Sequence, residues 1–116
     1  MKLSECRYYY AMTTETLHPS SVSTRANVFF DGKCVSHTVH FADGSRKSVG
    51  VILPSTLTFN IGAPEIMECT GGACEYRVHG QDAWQTCTPS QSFSIPANGG
   101  FDIRVAEAFH YICHFG

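Results

Sequence analysis

Apolar and polar residues alternate over short stretches of this chain, and no stretch carries the apolar stripe of an amphipathic helix. From Asn27 onward the stretches read as a succession of strands. Residues 35–41 and 47–53 are β-branched and apolar and flank Ala42-Asp43-Gly44-Ser45, where Asp-Gly marks a hairpin turn. Pro54 and Ser55 turn the chain into a strand over 56–61, and Gly62-Ala63-Pro64 turns it again. Residues 66–70 and 73–79 flank Gly71-Gly72. Further strands are predicted over 84–88, 93–95, 101–105 and 109–115. Many short strands with turn signals at even spacing predict an all-β barrel or sandwich. Residues 1–26 show neither period: Tyr8-Tyr9-Tyr10 leads into a Ser- and Thr-rich stretch broken by Pro19. They read as a poorly ordered N-terminal extension before a domain over 27–116.

At 116 residues the chain is one domain, large enough to bury a core. Charged residues make up 16% of it, against a usual share of about 25%. The remaining polarity comes from Ser, Thr, Asn, Gln and Gly, which suits strands and turns better than surface helices. A net charge of -2 argues against a nucleic-acid partner, which would call for a basic excess. No run of 18 apolar residues predicts a membrane span. Lys2 is followed by Ser4, Glu5, Cys6 and Arg7 rather than by an apolar signal region, so a cytoplasmic location is expected.

Six cysteines are present without a Cys-x-x-Cys pair, so a zinc ribbon is not expected. In a reducing compartment they read as small buried hydrophobes. If Gly71-Gly72 forms a two-residue hairpin loop, Cys69 and Cys74 face each other across it. His37 and His40 fall on opposite faces of one strand and cannot chelate together; Cys113 and His114 likewise point apart.

Two segments resemble the metal-binding motifs of cupins with most ligands replaced. Glu65 and Gly72 keep the separation of the first motif, but Phe59 and Ile61 stand where cupins carry paired histidines. In the second, Ser90, Pro96 and Phe101 occupy the motif positions, and Phe101 replaces its histidine. This resemblance implies a cupin-type jelly-roll β-barrel without a metal site. Within that frame, several fragments follow one another in order over about ninety residues: Ser48-Val49-Gly50-Val51; Phe59 with Ala63-Pro64-Glu65, Met67 and Gly72; Trp84, Phe93, Ile95 and Pro96; Phe101, Ile103 and Val105; and Tyr111-Ile112-Cys113. Together they resemble the pyrimidine/purine nucleoside phosphorylase family.

That resemblance implies attack of orthophosphate on C1′ of a ribonucleoside, giving ribose 1-phosphate and a free purine or pyrimidine base. Orthophosphate is then a co-substrate, no cofactor is expected, and the cupin frame implies a homodimer. Such a site needs a cradle for phosphate, a group on the sugar hydroxyls and charge to oppose an oxocarbenium-like transition state. Glu65 is the candidate carboxylate, with a turn-bracing role as its alternative. Arg46 and Ser48 are candidates for phosphate, although Arg46 also fits a solvated hairpin position. Met67 shares a face with Glu65 and fits a sugar or base contact or plain core packing. Tyr111 fits the cavity wall or the aromatic core. Ile61 stands where the family carries a threonine. A cupin module that binds a nucleoside without turning it over is the alternative function.

Overall fold

The structure, a computed structural model, describes residues 14–115. Its strands in chain order are β1 (Ser21–Val22), β2 (Asn27–Phe29), β3 (Cys34–His40), β4 (Arg46–Ile52), β5 (Ser55–Asn60), β6 (Glu65–Gly71), β7 (Cys74–Val78), β8 (Gln85–Cys87), β9 (Ser92–Ile95), β10 (Gly100–Val105) and β11 (Phe109–Phe115). A 3-10 turn at Phe30–Gly32 joins β2 to β3. All ladders are antiparallel and form two sheets. The larger runs β1-β3-β4-β11-β6-β9 with β2 also on β3, and the smaller runs β5-β10-β7-β8.

The hairpin predicted around Asp43-Gly44 forms with a register running from Cys34 opposite Ile52 to His40 opposite Arg46. Asp43 holds the turn by accepting from the Ser45 backbone N–H at 2.9 Å and its hydroxyl at 2.6 Å. β10 alternates as its sequence predicts: Phe101, Ile103 and Val105 are buried. Outward, Asp102 pairs with Arg77 and Arg104 with Glu75. The inner faces of both sheets share one core, in which Ile52, Cys69 and Phe109 of the larger sheet meet Leu57 and Ile103 of the smaller. The all-β, cupin-type fold expected from the sequence is present as an open, cupin-like β-sandwich. Among the described residues no ladder joins an edge of one sheet to the other.

The Gly71-Gly72 hairpin does not form. β6 pairs with β11 and β9, whereas β7 pairs with β10 and β8, so the chain crosses between sheets at this point. Gly72 has φ +71°, and a Cβ there would lie 2.2 Å from the Ala108 carbonyl oxygen. The crossing therefore excludes any side chain. Cys69 consequently faces Tyr111 across β11, and Cys74 faces Cys87 across β8, rather than each other. Cys34, Cys69, Cys74, Cys87 and Cys113 are free and buried, and burial pushes the Cys69 thiol up to about 11.

Part of the expected extension belongs to the sheet. β1 and β2 both pair along one edge of β3, with Ser21 opposite His40 and Asn27 opposite Ser36. Ser20 N–H donates to the His40 carbonyl at 2.7 Å and Ser23 N–H to the Thr38 carbonyl at 2.8 Å. A two-residue strand is too short to show alternation; the unpaired edge of β3 supplies its order. Residues 1–13 of the expected extension lie outside the described residues. Thr14 reaches the outward face of the larger sheet and hydrogen-bonds Glu68. Glu68 is opposite Ile112, an outward residue only 3% exposed. Burial acts to raise the Glu68 carboxyl, but hydrogen bonds from Thr14 and His114 outweigh it and hold the carboxyl below its usual range.

Deleting residues 1–26 is predicted to destabilise the fold relative to deleting 1–13. A loss of about 1 kcal/mol lowers the melting temperature of a domain this size by about 4–8 °C. Equal melting temperatures for the two truncations would show that β1 adds nothing. A group whose folded pKa is depressed stabilises the fold above its unfolded pKa, and that contribution disappears as pH falls through the folded value. Melting curves of Glu68→Gln are therefore expected to lose less stability than the parent on acidification below about pH 4.5, near the unperturbed glutamate value. Ellman's reagent is expected to leave the five buried thiols unreacted in the native protein and to titrate them after unfolding in guanidinium. Fast labelling of Cys69, Cys74 or Cys87 in the native state, read by mass spectrometry, would contradict the packing.

Candidate active site

A cavity of about 400 Å³ opens between the two sheets, within the range of small-ligand sites. Its floor is set by strand register. One inward row runs Asn27–Ser36–Gly50–Tyr111 across β2, β3, β4 and β11, and the next runs Thr38–Ser48–Cys113–Met67 across β3, β4, β11 and β6. Arg46 and Glu65 extend the same faces of β4 and β6 by two residues. The smaller sheet supplies the opposite wall, where the rings of Phe59 and Phe101 stack at 5.0 Å. Phe29 also lines the cavity, and the next residue, Phe30, stands edge-on to Phe59 at 5.1 Å. Phe30 and Asp31 both have positive φ, 53° and 54°, a conformation disfavoured for side-chain-bearing residues and concentrated at functional sites.

All five residues singled out from the sequence line this one cavity. Arg46 lays its guanidinium 4.3 Å from the centre of the Phe115 ring, which orients it along the wall. Ser48 is 7% exposed and lies within hydrogen-bond reach of Cys113. The Cys113 thiol donates to Glu65 Oε1 at 3.3 Å. Burial, then the charge of Glu65, pushes that thiol far above its ordinary pKa, so it stays a protonated donor. Met67 is buried beside Glu65 on the same strand face. Tyr111 is buried too: its hydroxyl lies 3.4 Å from Cys34 Sγ, and burial raises its pKa well beyond the usual phenol range. Gly50 makes room for it, since a Cβ there would approach the Tyr111 hydroxyl to 2.7 Å and the Val35 carbonyl to 2.7 Å.

His114 points out of the cavity, bound through Nε2 to Glu68 at 2.8 Å and through Nδ1 to Lys47 at 2.7 Å. It cannot serve Cys113 as a base. Phe59, Ile61, Glu65 and Phe101, the cupin metal-motif positions, do converge on the cavity. Glu65 alone among them carries a ligand atom, and a divalent metal needs several. No three His, Cys, Asp or Glu side chains among the described residues gather to hold a metal. The residues present do not fit one.

Sequence reasoning missed Asn27, Phe29, Ser36 and Thr38, all of which line the cavity. The signal lies in the hairpin's alternation. β3 turns Cys34, Ser36, Thr38 and His40 inward and β4 turns Arg46, Ser48 and Gly50 inward, while Val35, Val39, Val49 and Val51 point outward. A hairpin that buries its polar face and leaves Val49 40% exposed reverses ordinary patterning. Such an inversion marks a polar-lined site.

The pyrimidine/purine nucleoside phosphorylase family matches residues 24–115. A protein of that name from Paracidovorax citrulli is 66% identical over 105 residues, covering 90% of this chain and all of its own length. Another of the same name, from Polaromonas sp., is 64% identical over 108 residues with the same coverage. Among solved structures, a protein of unknown function from Acinetobacter sp. ADP1 superposes with a TM-score of 0.81 at 40% identity, covering 83% of this chain and 93% of its own. With the family pattern matched from β2 to the end of β11, this chain belongs to the pyrimidine/purine nucleoside phosphorylase family.

Proposed function

We propose that the cavity between the sheets carries out phosphorolysis of ribonucleosides. The observation that carries the reading is the meeting, in one cavity, of a guanidinium and hydroxyl on β4, a carboxylate on β6 and an aromatic wall. In the reaction an orthophosphate oxygen forms the bond to C1′ as the glycosidic C1′–N bond breaks, and its electron pair leaves with the base. Phosphate is the nucleophile, so the protein needs to position it and stabilise charge rather than supply a nucleophile of its own. Arg46 and Ser48 hold phosphate; a planar guanidinium matches its oxygens. Glu65, oriented by Cys113, faces the sugar, where its charge opposes the positive charge developing at C1′. Met67 packs against the ribose, and Tyr111 closes the cavity end.

The Phe59 and Phe101 rings offer a stacking surface with no hydrogen-bonding atoms, which accounts for accepting both purines and pyrimidines. Orthophosphate is a co-substrate and no resident cofactor takes part. The outward apolar residues Val49 and Ile66, 40% and 44% exposed, offer a surface for a second copy and support a homodimer. A cytoplasmic location is part of this reading; no helix among the described residues is long and apolar enough to cross a membrane.

Chelator-treated protein incubated with uridine, inosine, guanosine or adenosine is expected to release base from more than one of them, only when phosphate is present. Release without phosphate would make it a hydrolase; no release at all would favour a nucleoside-binding module. Glu65→Gln keeps size and bonding capacity but removes charge. It is expected to lower turnover about a hundred- to a thousand-fold, or about 2.7–4 kcal/mol by analogy with losing one preorganised electrostatic group. The melting temperature should stay near that of the parent. A stable variant within about tenfold of normal turnover would remove Glu65 from its charged role.

A further inference from the structure

The hydroxyl groups beside Arg46 are ordered by hydrogen-bond direction, and that direction leaves one donor unspent. The Asn27 amide nitrogen donates to Ser36 Oγ at 3.3 Å and to Thr38 Oγ1 at 3.2 Å, which uses both of its hydrogens. Each hydroxyl, having accepted, is left with its own hydrogen to give. Ser36 is 3% exposed and gives its hydrogen to the Tyr111 oxygen. Tyr111 in turn lies 3.4 Å from Cys34 Sγ; the phenol is the better donor of the two and bonds the sulfur. That chain is closed. Among the described residues Thr38 has no such onward partner, although it faces the cavity directly opposite Ser48. Arg46 lies two residues along the same face of β4, within about 7–8 Å of Thr38 as a diagonal cross-strand neighbour.

We infer that Thr38 is a third phosphate ligand, its hydroxyl hydrogen free to point into the cavity because the Asn27 amide donates to one of the oxygen's two lone pairs. The inference rests on the phosphorolytic reading above and deepens it. It assigns the anion subsite to β3 and β4 and the sugar carboxylate to β6. Asn27 touches no phosphate oxygen in this arrangement. It is a positioning residue, and β2 exists at the site to present it. Arg46 supplies the charge, and Ser48 and Thr38 supply directed O–H donors to an acceptor-only anion, a pairing stronger than one between neutral groups.

The test separates phosphate from nucleoside. Thr38→Val is expected to raise the KM for phosphate about ten- to a hundred-fold, as for loss of one hydrogen bond to a charged group, with the nucleoside KM within about twofold. Thr38→Ser keeps the hydroxyl and should restore the phosphate KM to within about threefold of the parent. Asn27→Asp replaces two donors by acceptors, turning the Thr38 hydrogen onto the new carboxylate, and is expected to weaken phosphate at least as much as Thr38→Val. Binding of inorganic phosphate alone, followed by ³¹P NMR line broadening on each folded variant, reads the subsite without turnover. Phosphate bound by the parent and lost in Thr38→Val upholds the subsite even if no nucleoside is cleaved, in which case the phosphorolytic reading alone falls. An unchanged phosphate KM in Thr38→Val, or a rise confined to the nucleoside KM, overturns the inference. So does an absence of phosphate binding by the parent.

Discussion

β11 is paired on both edges, to β4 from Phe109 through His114 and to β6 from His110 through Phe115, and the site depends on that double pairing. Strands in a sheet lie about 4.8 Å apart, so β11 sets β4 and β6 about 10 Å from each other. That spacing separates Arg46 and Ser48 from Glu65 and Met67, a width suited to a ribose flanked by phosphate. Side chains reinforce the pairing on both faces. Outside, Lys47, His114 and Glu68 form a chain of contacts of 2.7 and 2.8 Å across the three strands. Inside, Ser48, Cys113 and Glu65 cross the same three. The outer chain is extended by Thr14, which ties the N-terminal segment to the sheet that bears the site.

A polar cavity inside a β-sandwich is stable only if each buried polar group is paired. Here the pairing is directional: Asn27 donates to Ser36, Ser36 to Tyr111 and Tyr111 to Cys34. Among the described residues no buried side-chain nitrogen or oxygen lacks a partner. Cysteine suits this setting because burial keeps it protonated, so it can accept from a neighbour and still donate weakly, as Cys113 does to Glu65. Gly50 contributes through its missing side chain, since any Cβ would displace Tyr111 and the end of the chain that begins at Asn27. The Ser48-Val49-Gly50-Val51 run thus combines a cavity hydroxyl, a clearance for a tyrosine and two outward valines.

Most strands were legible because turn chemistry punctuates them: Asp43-Gly44, Pro54 and Gly62-Ala63-Pro64 lie between β3, β4, β5 and β6. The Gly71-Gly72 crossing was not legible as such. Two glycines between strands signal a tight turn, but whether the turn returns to the same sheet depends on which edges are free. β6 is already taken on both sides by β11 and β9. The short strands β1 and β2 were also invisible locally, because their order comes from a partner. Asn27 therefore stood at a domain boundary in the sequence and stands at the cavity in the fold.

Local sequence by itself determined the all-β class, the β3–β4 hairpin and the alternation of β10, because these follow from backbone preferences and side-chain period within a few residues. It also held the five candidate residues, through short motifs whose spacing survives without knowledge of the fold. Only the tertiary structure decided which face of β3 and β4 is inward. Alternation states that two faces differ but not which one meets the second sheet, and here the serines, Thr38 and Arg46 face in while the valines face out. The distance between Arg46 and Glu65, the direction of the hydrogen bonds at Asn27 and the open form of the sandwich are likewise properties of how strands pair across long separations, which no local pattern encodes.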